Sequence, residues 1–164
     1  MMPAPEDPRW LAVAYGELRK GVKERKGPAD DPSILEYLSA TNYEGPLHDE
    51  IPWCSAFVCW CMERAGLAST RGANARSWLG WGEPIMQPRR GCVAVYSRGQ
   101  NELAGHVGFW LQTLPKPAPG TGLHPGADVL LGGNQGDAVS IGPFPRNARG
   151  RRLLGYRWPS RIGQ

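Results

Sequence analysis

Apolar positions follow two different periods along the chain. Up to Gly66 they recur at helical spacing, and beyond Gly91 they run in short blocks or alternate. Trp10, Leu11, Ala14 and Leu18 mark one face of a helix that ends near Gly21. Ile34, Leu35 and Leu38 mark a second, shorter helix that ends about Thr41-Asn42. Asp7-Pro8 and Asp31-Pro32 offer the same start signal, a capping carboxylate followed by a proline whose fixed φ suits a first turn. The polar, Gly- and Pro-containing stretch Lys23 to Asp30 links them. Phe57, Val58, Cys61, Met62 and Ala65 then form the apolar stripe of a third helix, with Pro52 just outside its first turn and Gly66 as its stop.

The second half reads as strands. Cys92 to Tyr96 is a β-branched run bounded by Gly91 and Ser97. Gly105 to Leu111 alternates, with His106, Gly108 and Trp110 on one face and Val107, Phe109 and Leu111 on the other. Val129 to Gly133, Val139 to Ile141 and Leu153 to Trp158 continue the series, and the Pro/Gly-rich stretch Leu114 to Gly126 is an irregular excursion. Helices first and about five antiparallel strands after make an α+β domain. One domain is expected over residues 9–160, after a flexible lead-in over 1–8 and before a tail over 161–164.

A chain of 164 residues can bury a sizeable core. No apolar run approaches the roughly 20 residues that a membrane span needs. The first residues, Met1-Met2-Pro3-Ala4-Pro5-Glu6-Asp7-Pro8, lack the basic start and apolar core of a secretory signal. Synthesis in the cytoplasm is therefore expected, with any action outside it reached by lysis or non-classical export. The net charge of +4 is uneven: six arginines (146, 149, 151, 152, 157 and 161) and no acid fall between Arg146 and Arg161. Such an end suits an anionic polymer or a solvated surface. No recognition motif for nucleic acid accompanies it, so a nucleic-acid partner is not expected.

Four cysteines remain to be placed. The spacing of Cys54, Cys59 and Cys61 matches no common zinc pattern, and neighbours on one helix cannot readily bridge. Cys59, Cys61 and Cys92 read as packing residues, with neither metal nor cofactor expected. Cys54 differs, because it lies at the helix N-terminus, where unpaired N–H groups and the helix dipole favour a thiolate. A small buried apolar residue is its plainer reading.

A thiolate nucleophile needs an imidazole partner, and that partner needs an orienting group on its other nitrogen. His106, flanked by Gly105 and Gly108 at a strand start, is the best candidate, although a satisfied core histidine would have the same surroundings. Gly132-Gly133-Asn134-Gln135-Gly136-Asp137 follows the next strand at the same end. Asn134 can orient the ring or serve only as a turn residue, with Gln135 or Asp137 in reserve. His48, Asp49, Trp53, Ser55, Trp78 and Gln135 are the candidate substrate-contacting residues.

Pro52-Trp53-Cys54-Ser55-Ala56-Phe57-Val58, Pro88-Arg89-Arg90-Gly91, Gly105-His106-Val107-Gly108-Phe109 and Gly132-Gly133-Asn134-Gln135 together resemble the CHAP and NlpC/P60 superfamily of cysteine peptidases and amidases. Within it, the chain is most similar to a branch of single-domain phage and bacterial cell-wall hydrolases. The resemblance implies a papain-like fold and cleavage of an amide bond in peptidoglycan through a thioester, by an endopeptidase or an N-acetylmuramoyl-L-alanine amidase. By position it makes Cys54 the nucleophile, His106 the base and Asn134 the orienting residue. Where many relatives carry Asp after the Pro-x-x-Gly turn, this chain has Cys92. A secreted antibacterial effector with the same chemistry, an acyl transferase and a non-catalytic wall-binding module are the alternatives. Peptidoglycan is the expected partner of a monomer, with an inhibitor or immunity protein as a further one.

Overall fold

The computed structural model describes residues 2–115 and 126–161. Three α-helices come first: α1 (Arg9–Lys20), α2 (Pro32–Ser39) and α3 (Cys54–Arg64). A 3₁₀ helix (Ala75–Gly80) leads into the strands β1 (Glu83–Ile85), β2 (Val93–Ser97), β3 (Gly105–Thr113), β4 (Asp128–Gly132), β5 (Ser140–Phe144), β6 (Asn147–Ala148) and β7 (Arg151–Trp158). The strands form one antiparallel sheet in the order β1-β7-β2-β3-β4-β5, and β6 pairs with β7. The α+β class and the five longer strands agree with the sequence. The further two, β1 and β6, are three and two residues long, too short to show a period.

All three helices share one core with one face of the sheet. Phe57 of α3 meets Phe109 of β3, with ring centroids 6.3 Å apart, and Val95, Val107 and Leu131 lie in the same cluster. Tyr37 of α2 packs its ring against Trp53, Phe57 and Trp60. The opposite face carries a smaller cluster of Cys92, Ala94, Tyr96, Leu130, Phe144 and Tyr156. Alternation along β3 thus sends Val107 and Phe109 towards α3 and His106 to the other side, as a strand's two-residue period requires.

Local signals hold with one change. Asp31 caps α2, its carboxylate accepting from Ser33 and Ile34 N–H, and Gly21 closes α1 with φ 69°. Asp7 does not cap α1. Its carboxylate accepts from the Ala4 N–H at 2.7 Å and pairs with Arg90 at 2.6 Å, because Arg90 offers a charged fork that an N-cap does not. Within the expected lead-in, Asp7 is thus bonded to both Ala4 and Arg90. The excursion after β3 falls largely on residues 116–125, outside the described residues.

Candidate active site

The start of α3 is built to hold an anion. Trp53 occupies its N-cap and no side chain caps it, so first-turn N–H groups are left for a neighbouring negative charge. Cys54 is 5% exposed and lines a cavity of about 200 Å³ together with Asn74, Arg98 and Gly105. Strand β3 passes beside it. Trp110 donates its N–H to the Cys92 carbonyl of the neighbouring segment at 2.8 Å, so by the two-residue period Val107 points its N–H to the opposite edge. There β4 no longer pairs, since the β3–β4 ladder begins at Phe109 and Leu131. The Cys54 thiol occupies that gap. Burial pushes its pKa up, while the N–H groups of Val107, Ser55 and Cys54 and the charge of Arg98 pull it down.

His106 leaves the same strand from the preceding residue. Its ring lies flat on Phe144, with centroids 4.8 Å apart and planes 3° apart. His106 Nε2 is 2.9 Å from Gln135 Oε1. The Gln135 amide nitrogen donates to the Leu130 and Ser140 carbonyls, at 3.2 and 2.9 Å. With that nitrogen doubly committed, the atom facing the ring is the amide oxygen, which only accepts. His106 Nε2 therefore carries the proton, and Nδ1 keeps a free lone pair. Burial lowers the pKa of His106 to about 4. The Gln135 bond opposes this, and the charges of Arg151 and Arg98 add to it. At neutral pH the group is an uncharged imidazole with a base site.

The thiol and the imidazole thus flank one step of β3, at Val107 and His106. No hydrogen bond joins them among the described residues. Arg98 lines both the thiol cavity and a second one of about 390 Å³ that contains His106, Asn134, Gln135 and Arg151.

The imidazole contact expected of Asn134 is made by Gln135, which the sequence held both in reserve for that place and as a substrate contact. Asn134 adopts a left-handed turn with φ 55° and lines the cavity wall. Four of the expected substrate contacts are buried instead. Trp53 donates to Glu24 at 3.0 Å and packs beside Gly133. Ser55 donates to the Gly72 carbonyl at 2.6 Å and accepts from the fully buried Trp78 indole at 2.9 Å, which fastens the 3₁₀ segment to α3. Asp49 accepts from the Arg25 and Asp31 N–H groups, at 2.9 Å each. Its Oδ1 has no hydrogen-bond partner among the described residues, and it gathers with Asp30 and Glu50. The exposed His48 lies 3.5 Å from Asp30. Phe144 and Arg98 are site residues that periodicity did not mark out: one sits beside a proline in a weakly patterned strand, the other follows a strand end.

A family model described as the CHAP domain matches residues 47–113, from the loop before α3 to the end of β3. That match is consistent with a cysteine peptidase-amidase of the CHAP/NlpC-P60 type. A CHAP domain implies peptidoglycan hydrolysis, by amidase or peptidase action, in general terms. Cys54, Arg98 and His106 lie within the matched span, and Gln135 lies beyond it. No curated protein and no solved structure gives a significant match.

Proposed function

With a CHAP match spanning α3 and β3 as premise, we propose that the protein hydrolyses an amide bond of peptidoglycan through a thioester on Cys54, with His106 as base and Gln135 as its orienting residue. The observation that carries this is the bond from His106 Nε2 to Gln135 Oε1, at 2.9 Å, on an amide whose nitrogen is engaged elsewhere. It leaves Nδ1 unprotonated on the residue that precedes Val107, whose N–H faces the thiol.

At rest both partners are neutral. As the substrate carbonyl approaches, Nδ1 takes the Sγ proton and the sulfur attacks the carbonyl carbon. The oxyanion forms beside the Cys54 N–H at the uncapped helix start; one such donor is typically worth about 2.7–4 kcal/mol. The imidazolium, still donating through Nε2 to Gln135, gives the Nδ1 proton to the leaving amine, and the C–N bond breaks to leave the thioester. Water then loses a proton to Nδ1 as it attacks, and the proton returns to sulfur as the free acid departs. Action on a bacterial wall as a lysin or wall enzyme fits this chemistry.

The test uses purified peptidoglycan with wild type and Cys54→Ala, reading released fragments by mass spectrometry. New amine and carboxyl termini with the wild type alone are expected, and they name the bond cut. Release by neither protein, with wall binding by both, would make this a binding module.

A further inference from the structure

Three cavities share lining residues; Cys54 lines one of them and His106 another. Arg98 lines the thiol cavity and the imidazole cavity. Arg151 lines the imidazole cavity and a larger one of about 810 Å³, which also holds Arg149 and Arg152. Among the described residues four arginines pair with acids: Arg25 with Asp31, Arg71 with Glu63, Arg90 with Asp7 and Arg146 with Asp128. Arg98 and Arg151 form no hydrogen bond or ion pair through their side chains with any described residue. Arg151 rests on the Phe144 ring, 4.7 Å from its centroid. Asp137, the acid in the imidazole cavity, pairs with neither.

Two unneutralised guanidinium groups beside an imidazole oppose the imidazolium that the reaction must form. Both lower the proton affinity of His106. An anion held between them would cancel that repulsion while meeting two planar donor forks suited to a carboxylate. We propose that Arg98 and Arg151 are specificity-determining residues that clamp a free carboxylate of the substrate, so that the preferred substrate is an acidic peptide with a carboxylate close to the scissile amide. This rests on the site being an amide hydrolase; the substrate's charge then completes the environment that its own cleavage requires.

The test compares a wall stem peptide bearing free carboxylates with the same peptide carboxamidated. Cys54→Ala protein is titrated with each by calorimetry, and wild type is assayed for kcat/KM on each. The free acid should bind, and be cleaved, at least about tenfold better, the span of a charge-assisted hydrogen bond. Arg98→Gln and Arg151→Gln should each erase most of that preference while changing the amidated peptide little, Arg98→Lys should restore part of it, and Arg149→Gln should leave it intact. Equal binding of both peptides, binding of neither, or equal weakening of both by the glutamine variants would overturn the clamp. A binding preference without cleavage by wild type would remove the hydrolase reading and leave the clamp standing. Equal cleavage of both peptides would do the reverse.

Discussion

His106 Nε2 and Gln135 Oε1 stand 2.9 Å apart, and Gln135 is itself immobilised. Its backbone N–H donates to the Ala138 carbonyl at 3.0 Å, and its carbonyl accepts from the Ser140 hydroxyl at 2.7 Å. Gly132 makes room for it, since a Cβ there would lie 2.4 Å from Gln135 Oε1. The ring is thus held in one tautomer by a side chain with no freedom to turn over.

Gln135→Ala should lower kcat/KM on peptidoglycan about 100-fold, part of the 10²–10⁴ that a well-placed base contributes. Asn134→Gly should stay within about twofold of wild type, because glycine adopts the left-handed conformation freely. The opposite pattern, a costly Asn134 and a silent Gln135, would return the orienting role to Asn134.

That one-residue difference marks where the sequence stops being legible. The alternation of β3 and the stripe of α3 are set by burial on one face, so the elements that carry Cys54 and His106 are readable from period alone. The loop after β4 follows no period. Asn134, Gly136 and Asp137 all have positive φ, and such backbone turns a side chain in a direction that counting along a strand does not give. Trp53, Ser55 and Trp78 misled for a related reason. Aromatic and small residues beside a nucleophile suit a substrate groove as well as a packed seam, and only the bonds from Ser55 to Gly72 and from Trp78 to Ser55 distinguish the two.

The acid limb of the kcat/KM profile should lie near pH 4, where the buried His106 takes a proton, instead of near its ordinary value of 6.5. Stability should follow the same residue. The unfolded chain binds this proton at about 6.5 and the folded one at about 4, so His106 favours unfolding increasingly as pH falls through that window and has no such effect above it. The full loss is about 3 kcal/mol. Urea unfolding of wild type and His106→Gln at pH 7 and pH 4 should show the wild type losing more by that amount. Equal losses would mean that His106 titrates normally.

Limiting iodoacetamide should modify Cys54 and spare Cys59, Cys61 and Cys92. All four thiols are buried, yet Cys54 alone of them lines one of the cavities described above, and in the proposed mechanism His106 takes its proton. Burial raises the Cys59 and Cys61 thiols and pushes Cys92 up to about 12, which leaves almost no thiolate there at neutral pH. Peptide mapping by mass spectrometry should find one labelled site in the native protein and four in urea. His106→Ala should slow the native label at pH 7, and an unchanged rate would mean that the imidazole does not activate the thiol.

Asp128, fully buried at the start of β4, ties together the sheet face opposite α3. Its Oδ1 accepts from Trp110 Nε1 and Arg146 Nε, at 2.9 Å each, and its Oδ2 accepts from the Tyr96 and Tyr156 hydroxyls. One carboxylate therefore holds side chains from β2, β3 and β7. Asp128→Asn keeps the shape but removes the charge facing Arg146 and turns an amide N–H₂ either towards the Trp110 and Arg146 donors or towards two hydroxyls that would have to turn from donating to accepting. It should cost about 3 kcal/mol in urea unfolding, the scale of a broken buried ion pair. Arg146→Met alone should also destabilise, since it withdraws the guanidinium from a carboxylate that stays buried. The double variant should lose less than the sum of the two, because removing either partner relieves the other's unmet charge. Strict additivity would mean that the two hydroxyls and the indole hold the carboxylate without Arg146.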